Sequence, residues 1–102
     1  MNPSDSINLR FDHKLKILPE YYYAVEDGRK TFEIRKNDRG FHLGQTVLLQ
    51  KHSESRYTCD NILVEITYMT DYEQKDGYVV FGFRKLFEIP GKFNDEEEQS
   101  DE

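Results

Sequence analysis

From Asn61 to Thr70 the chain reads Asn-Ile-Leu-Val-Glu-Ile-Thr-Tyr-Met-Thr, and no other feature constrains its folding more. The run has the period of a β-strand: Ile62, Val64, Ile66 and Tyr68 fall on one side, and Leu63, Glu65, Thr67 and Met69 on the other. Shorter runs repeat the theme. His13–Leu18 alternates around Leu15 and Ile17, and Gln45–Gln50 is built on Val47, Leu48 and Leu49. Tyr78–Arg84 sets Val79, Phe81 and Phe83 on one face, with Leu86, Phe87 and Ile89 extending it or capping the core. Thr31–Arg35 alternates cleanly, which predicts Phe32 and Ile34 on the core and Thr31, Glu33 and Arg35 outward. Between the first two strands, Pro19 suits a first helical turn and Glu20 its positive end, and Gly28 suits a stop after Asp27. The order is β-α-β followed by three strands at short spacing. It predicts an α+β fold, a small mixed β-barrel of about five strands with one helix between the first two.

Length and charge set the boundaries. The 102 residues make one domain, and seven Tyr and seven Phe supply much of its core. The net charge of −6 misleads, because residues 91–102 hold six acids and one base, which leaves 14 acids and 13 bases in residues 1–90. The expected organisation is a flexible arm over 1–12, a domain over 13–90 and a disordered acidic tail over 91–102. The single cysteine, Cys59, excludes an internal disulfide or a Cys-based zinc site and points to a reducing compartment. No apolar run approaches the roughly 20 residues of a membrane helix, and the N-terminus lacks a signal-peptide pattern. A cytoplasmic monomer without membrane contact or cofactor is expected. His13 has no Cys or second His nearby and makes no case for a metal.

Positive charge concentrates between Gly28 and Arg39, with five bases (Arg29, Lys30, Arg35, Lys36, Arg39) against two acids (Glu33, Asp38). Lys30 stands at a strand entrance, as a solvated lysine or as a mobile cation for a phosphate or base edge. Glu33 and Arg35 share a face, as an ion pair or as the polar floor of a cleft. In the second case Arg35 offers a planar donor fork and Glu33 an acceptor or general base. Thr31 adds a hydroxyl on that face. Arg39, with Asn37 and Asp38, belongs to a loop that is either a binding element or an ordinary turn. Lys16 faces away from Leu15 and Ile17, and adds charge if that face lines the cleft. Tyr21, Tyr22 and Tyr23 fan around the helix for core packing or for stacking on bases.

Gly28-Arg29-Lys30-Thr31-Phe32-Glu33-Ile34-Arg35 resembles the ASCH superfamily motif Gly-x-Lys-x-x-Glu-x-Arg of the PUA-like fold. The blocks His13–Tyr21, Phe32–Arg39 and Gly77–Val80 are similar to an uncharacterised bacterial and phage branch of ASCH-like domains, and the resemblance covers roughly residues 13 to 84. Two departures stand out: Gly44-Gln45 where that branch carries Gly-Asp, and Tyr57-Thr58-Cys59-Asp60 where it often has Tyr-Thr-Gly-Arg. The resemblance implies a pseudobarrel with a cleft beside the helix and binding of RNA. Some relatives are amidohydrolases on an acetylated cytidine and others are described as ribonucleases. The amidohydrolases pair a Lys, matched here by Lys30, with a Thr whose position holds Glu33, and a carboxylate does not replace a hydroxyl nucleophile.

The leading expectation is therefore an RNA- or nucleotide-binding module with Lys16, Lys30, Thr31, Glu33, Arg35 and Arg39 as its ligand-binding residues. A hydrolase acting on a modified nucleoside or RNA through Lys30 and Glu33 is the first alternative. A protein-interaction or phage accessory protein, with a partner met through the acidic tail, is the second.

Overall fold

The computed structural model describes residues 10–52 and 60–89. The predicted arm up to residue 9, the tail, and the Tyr57–Cys59 block lie outside the described residues. The elements run β1 (His13–Ile17), α1 (Pro19–Glu26), β2 (Phe32–Lys36), β3 (Thr46–Lys51), β4 (Asn61–Thr70) and β5 (Tyr78–Ile89). One sheet holds all five strands in the order β1-β3-β4-β5-β2. β1 runs parallel to β3, and every other pairing is antiparallel. The sheet curls into a half-barrel, and α1 is the single helix among the described residues, as the element order predicts.

The core lies where the curled sheet meets α1. Leu15 and Ile17 of β1, Tyr22 and Val25 of α1, Val47 and Leu49 of β3, and Ile62, Val64 and Ile66 of β4 interlock with Phe81 and Phe83. Fully burying a side chain such as Phe81 is worth about 2–3 kcal/mol. Phe41, from the loop after β2, stacks on Phe81 with ring centroids 4.9 Å apart and on His13 at 4.6 Å.

Two expectations about facing are corrected. The first concerns β4, whose parity breaks at an irregularity between Ile66 and Tyr68. A bulge shifts the strand by one residue, so Tyr68 turns to solvent and Met69 takes up the core contact. The second concerns β2. Phe32 and Ile34 are 42% and 51% exposed, whereas Glu33 is only 5% exposed. The alternation is real and its direction is reversed. β2 lies at the sheet edge farthest from β1, and none of its residues joins the apolar core cluster. Its inward face looks into a polar cleft, so the inward positions carry Glu33 and Arg35.

Candidate ligand-binding cleft

The cleft exists because β1 and β2, the two edges of the sheet, approach each other without pairing. Ladder bonds of β2 go to β5: the Phe83 amide donates to the Thr31 carbonyl and the Asn37 amide to the Gly77 carbonyl. On β1 the Ile17 carbonyl is taken from the β3 side, by the His52 amide. The carbonyls of Lys14 and Lys16 point the other way, toward β2, where side chains reach them. Arg39 Nη1 donates to the Lys14 carbonyl at 2.9 Å and Arg35 Nη2 to the Lys16 carbonyl at 3.1 Å. Two guanidinium groups thus span the seam that a strand ladder would close in a full barrel.

The backbone around α1 delivers the motif to this seam. Leu18 is extended, with φ −67° and ψ 152°, and Pro19 opens the helix behind it. Gly28 adopts φ +86° after Asp27, which reverses the chain, and the Lys30 amide bonds back to the Ala24 carbonyl at 2.9 Å. β2 starts two residues later, beside the helix it has just left.

Glu33 is the hub. Its Oε2 accepts from Lys30 Nζ at 2.5 Å and its Oε1 from Arg35 Nε at 3.2 Å. The carboxylate and both cations are largely removed from water. Breaking one partner out of such a cluster is far more costly than breaking a surface pair. Lys30 also donates to the Phe32 carbonyl at 2.7 Å and lies over the rings of Tyr21 and Phe32, 5.5 and 5.0 Å from their centroids. Beyond Arg35, the Asn37 Oδ1 accepts from the Phe41 amide at 2.9 Å and holds the loop that carries Arg39.

The resulting cleft has a volume of about 490 Å³. Its charged lining is Lys16, Glu33, Arg35, Lys36, Asp38 and Arg39, four cations against two acids. Tyr21 and Tyr78 and the apolar residues Ile17, Leu18, Ile34 and Phe41 complete the wall, so Ile34 and Lys36 border the cleft from the outer side of β2. Lys16 and Lys36 are exposed and hold no ion pair among the described residues. Among the described residues no three His, Cys, Asp or Glu side chains gather as a metal site.

Of the expected ligand-binding residues, the cleft brings together Lys16, Glu33, Arg35 and Arg39. Lys30 stands behind Glu33 and reaches the cleft through it. Thr31 precedes the strand, is exposed, and is not part of the lining. Sequence reasoning missed Lys36 and Tyr78, which face each other across the β2–β5 ladder. The Gly77-Tyr78 block of the resemblance held a signal for Tyr78. The tyrosine triplet divides: Tyr22 is buried in the core, Tyr21 lines the cleft, and Tyr23 turns outward to accept from Lys51 Nζ at 3.1 Å. Burial raises the Tyr22 phenol well above its ordinary value, and the bond to Tyr23 raises the Lys51 ammonium. Asp60, at a position that departs from the resemblance, pairs with Lys51 at 3.4 Å.

The sequence that builds this cleft belongs to a known group. The model of the family described as Domain of unknown function (DUF3850) matches residues 12–83, and the chain belongs to that family. The chain is also similar to a protein of Escherichia phage P2, "Uncharacterized 12.9 kDa protein in GpA 3'region", at 32% identity over 59 residues. That alignment covers 58% of this chain and 54% of the phage protein, so it spans about half of that relative's length.

Proposed function

We propose that this protein is an RNA- or nucleotide-binding module, that its ligand sits between β1 and β2, and that its half-barrel is of the PUA-like type carried by ASCH domains. The observation that carries the reading is the cleft lining: four cations, two of them exposed lysines without ion pairs among the described residues, around about 490 Å³ with two tyrosine rings at hand. That volume falls in the range of small-molecule and nucleotide sites. Cations position phosphates, and tyrosine faces accept bases without regard to sequence. Glu33 favours binding over hydrolysis, since one oxygen is committed to Lys30 and the other to Arg35. The carboxylate anchors the cations rather than standing ready for a water. The ASCH-type placement draws its support from Gly28, Lys30, Glu33 and Arg35 and from the barrel-like α+β fold. A cytoplasmic, monomeric binder goes with the reading.

The test is anisotropy of a fluorescein-labelled ten-residue oligoribonucleotide across a salt series, for the native chain and for Lys16→Glu/Lys36→Glu. Native binding weakens steeply with salt, and the double variant lowers the log–log slope by about 1.4, at about 0.7 per phosphate contact on a single strand. Salt-insensitive binding, or none, overturns the reading.

A further inference from the structure

Three outer positions stand in one row across the sheet: Phe32 of β2 pairs with Gly82 of β5, and Gly82 with Tyr68 of β4. They share the face turned away from the core, since Phe81, Phe83 and Met69 beside them belong to the core side. Tyr68 is 65% exposed, and Phe32 is exposed too, so burial explains neither ring. Gly82 places no side chain between them, and a Cβ there would lie 3.8 Å from the Tyr68 Cβ. The two ring-bearing residues are thus two strand spacings apart, about 10 Å, over an open floor. The next row adds Ile34 and Val80, and the one after it Lys36 and Tyr78. That last row joins the outer face to the cleft, because Ile34, Lys36 and Tyr78 also line the cleft. Ile34 and Tyr78 line a second hollow as well, of about 350 Å³, with Lys75 at its rim 5.6 Å from the Tyr78 ring centroid. On the same face Glu65 is neutralised by Arg84 at 2.6 Å.

We propose that the outer face of β2, β5 and β4 is a base-stacking surface for a single-stranded RNA that leaves the cleft around the β2 edge, with Phe32 and Tyr68 each taking a base. The proposal deepens the reading of the cleft as an RNA site and rests on it. Every base has a π-face, so exposed rings on a sheet hold a single strand without regard to its sequence. Lys30 lies 5.0 Å from the Phe32 ring centroid, and one ammonium covers one face of a ring at most. Lys36 and Lys75, at the turn from cleft to outer face, stand where the phosphates of such a strand pass. Charged residues are depleted from the centre of protein–protein interfaces, and here two rings stand apart with lysines alongside, which favours a strand over a second copy of the chain.

The experiment compares fluorescein-labelled triuridylate, short enough for the cleft alone, with decauridylate, on the full chain and on Tyr68→Leu, Phe32→Leu and Lys16→Glu. Leucine keeps an apolar side chain and removes the ring, and urea midpoints verify that each variant is folded. The expected result is that Tyr68→Leu and Phe32→Leu each weaken decauridylate binding at least about fivefold, as for loss of one stacked base. Tyr68→Leu leaves triuridylate affinity unchanged, and the Tyr68 ring NMR signals of the native chain shift with decauridylate and not with triuridylate. Equal decauridylate affinity in Tyr68→Leu, with unshifted ring signals, overturns the stacking surface while triuridylate binding preserves the cleft reading. Triuridylate binding indifferent to Lys16→Glu removes the cleft reading, while Tyr68-dependent decauridylate binding keeps the stacking surface. No binding of either oligonucleotide by the native chain overturns both. A native chain that sediments as a dimer, and as a monomer in Tyr68→Glu, assigns the face to a second copy and also overturns the proposal.

Discussion

The guanidinium of Arg35 donates to the Lys16 carbonyl at 3.1 Å while its Nε holds Glu33 at 3.2 Å, so one side chain joins two unpaired strands and neutralises the carboxylate between them. The arginine that the sequence marks as a ligand contact is also a structural tie. Arg35→Ala therefore costs stability as well as binding, about 2 kcal/mol, whereas Arg35→Lys keeps the charge and loses the fork. Urea unfolding distinguishes the cases. A full native midpoint for Arg35→Ala would show that the seam needs no bridge.

Glu33 is the anion under two half-buried cations. Glu33→Ala leaves Lys30 and Arg35 facing each other without it, and is expected to destabilise the fold by about 3 kcal/mol. Lys30→Met is milder, since Arg35 remains on the carboxylate. Thermal unfolding of both variants checks the order, and equal losses would contradict it.

Phe32 and Ile34 look like core residues in the sequence and are exposed in the structure. Phe32→Ser and Ile34→Thr are each expected to cost about 1 kcal/mol or less, Phe32→Ser the more because Lys30 lies over its ring. Truncating a buried aromatic residue costs several times more. Losses on that scale, read from urea midpoints, would return β2 to the facing that its pattern suggests.

Gly28 ends α1 at φ +86°, and a Cβ there would meet nothing within 4 Å. The penalty of Gly28→Ala is therefore conformational and not steric, about 1 kcal/mol, or about 5 °C in Tm for a domain of this size. A larger loss would reveal a packing role that the space around Gly28 does not suggest.

Tyr22 and Lys51 make the fold sensitive to alkali. The Tyr22 phenol has an ordinary value of 10.0 and Lys51 one of 10.5, and both are raised in the folded chain, Tyr22 chiefly by burial and Lys51 chiefly by its bond to Tyr23. Above pH 10 the unfolded chain releases these protons first and holds fewer of them than the folded one, so stability falls as pH rises. Urea midpoints at pH 9, 10 and 11 trace the decline. Tyr22→Phe flattens the limb, and an unchanged slope in that variant would assign the sensitivity elsewhere.

Element order, the five strands and the helix stop at Gly28 were legible from local pattern, because period and glycine placement are properties of the chain itself. Facing was less so. Alternation in β2 tells which residues share a side, but not whether that side meets oil or a cleft, and the answer depends on β2 lying at the edge opposite β1. Tyr68 turned outward because a bulge reset the parity, an event that depends on the register with β5. In the cleft, Glu33 and Arg35 were legible as side-chain neighbours two apart on a strand. The carbonyls of Lys14 and Lys16, which two arginines seek, were not, since backbone acceptors leave no trace in residue identity.

A barrel closed by a ladder has its circumference set by strand count and register. Here the last gap is spanned by Arg35 and Arg39, and its width follows the reach of those two side chains. Exchanging either arginine for a shorter or longer side chain would therefore reset the width of the mouth with the five strands untouched, so the opening is adjustable one substitution at a time.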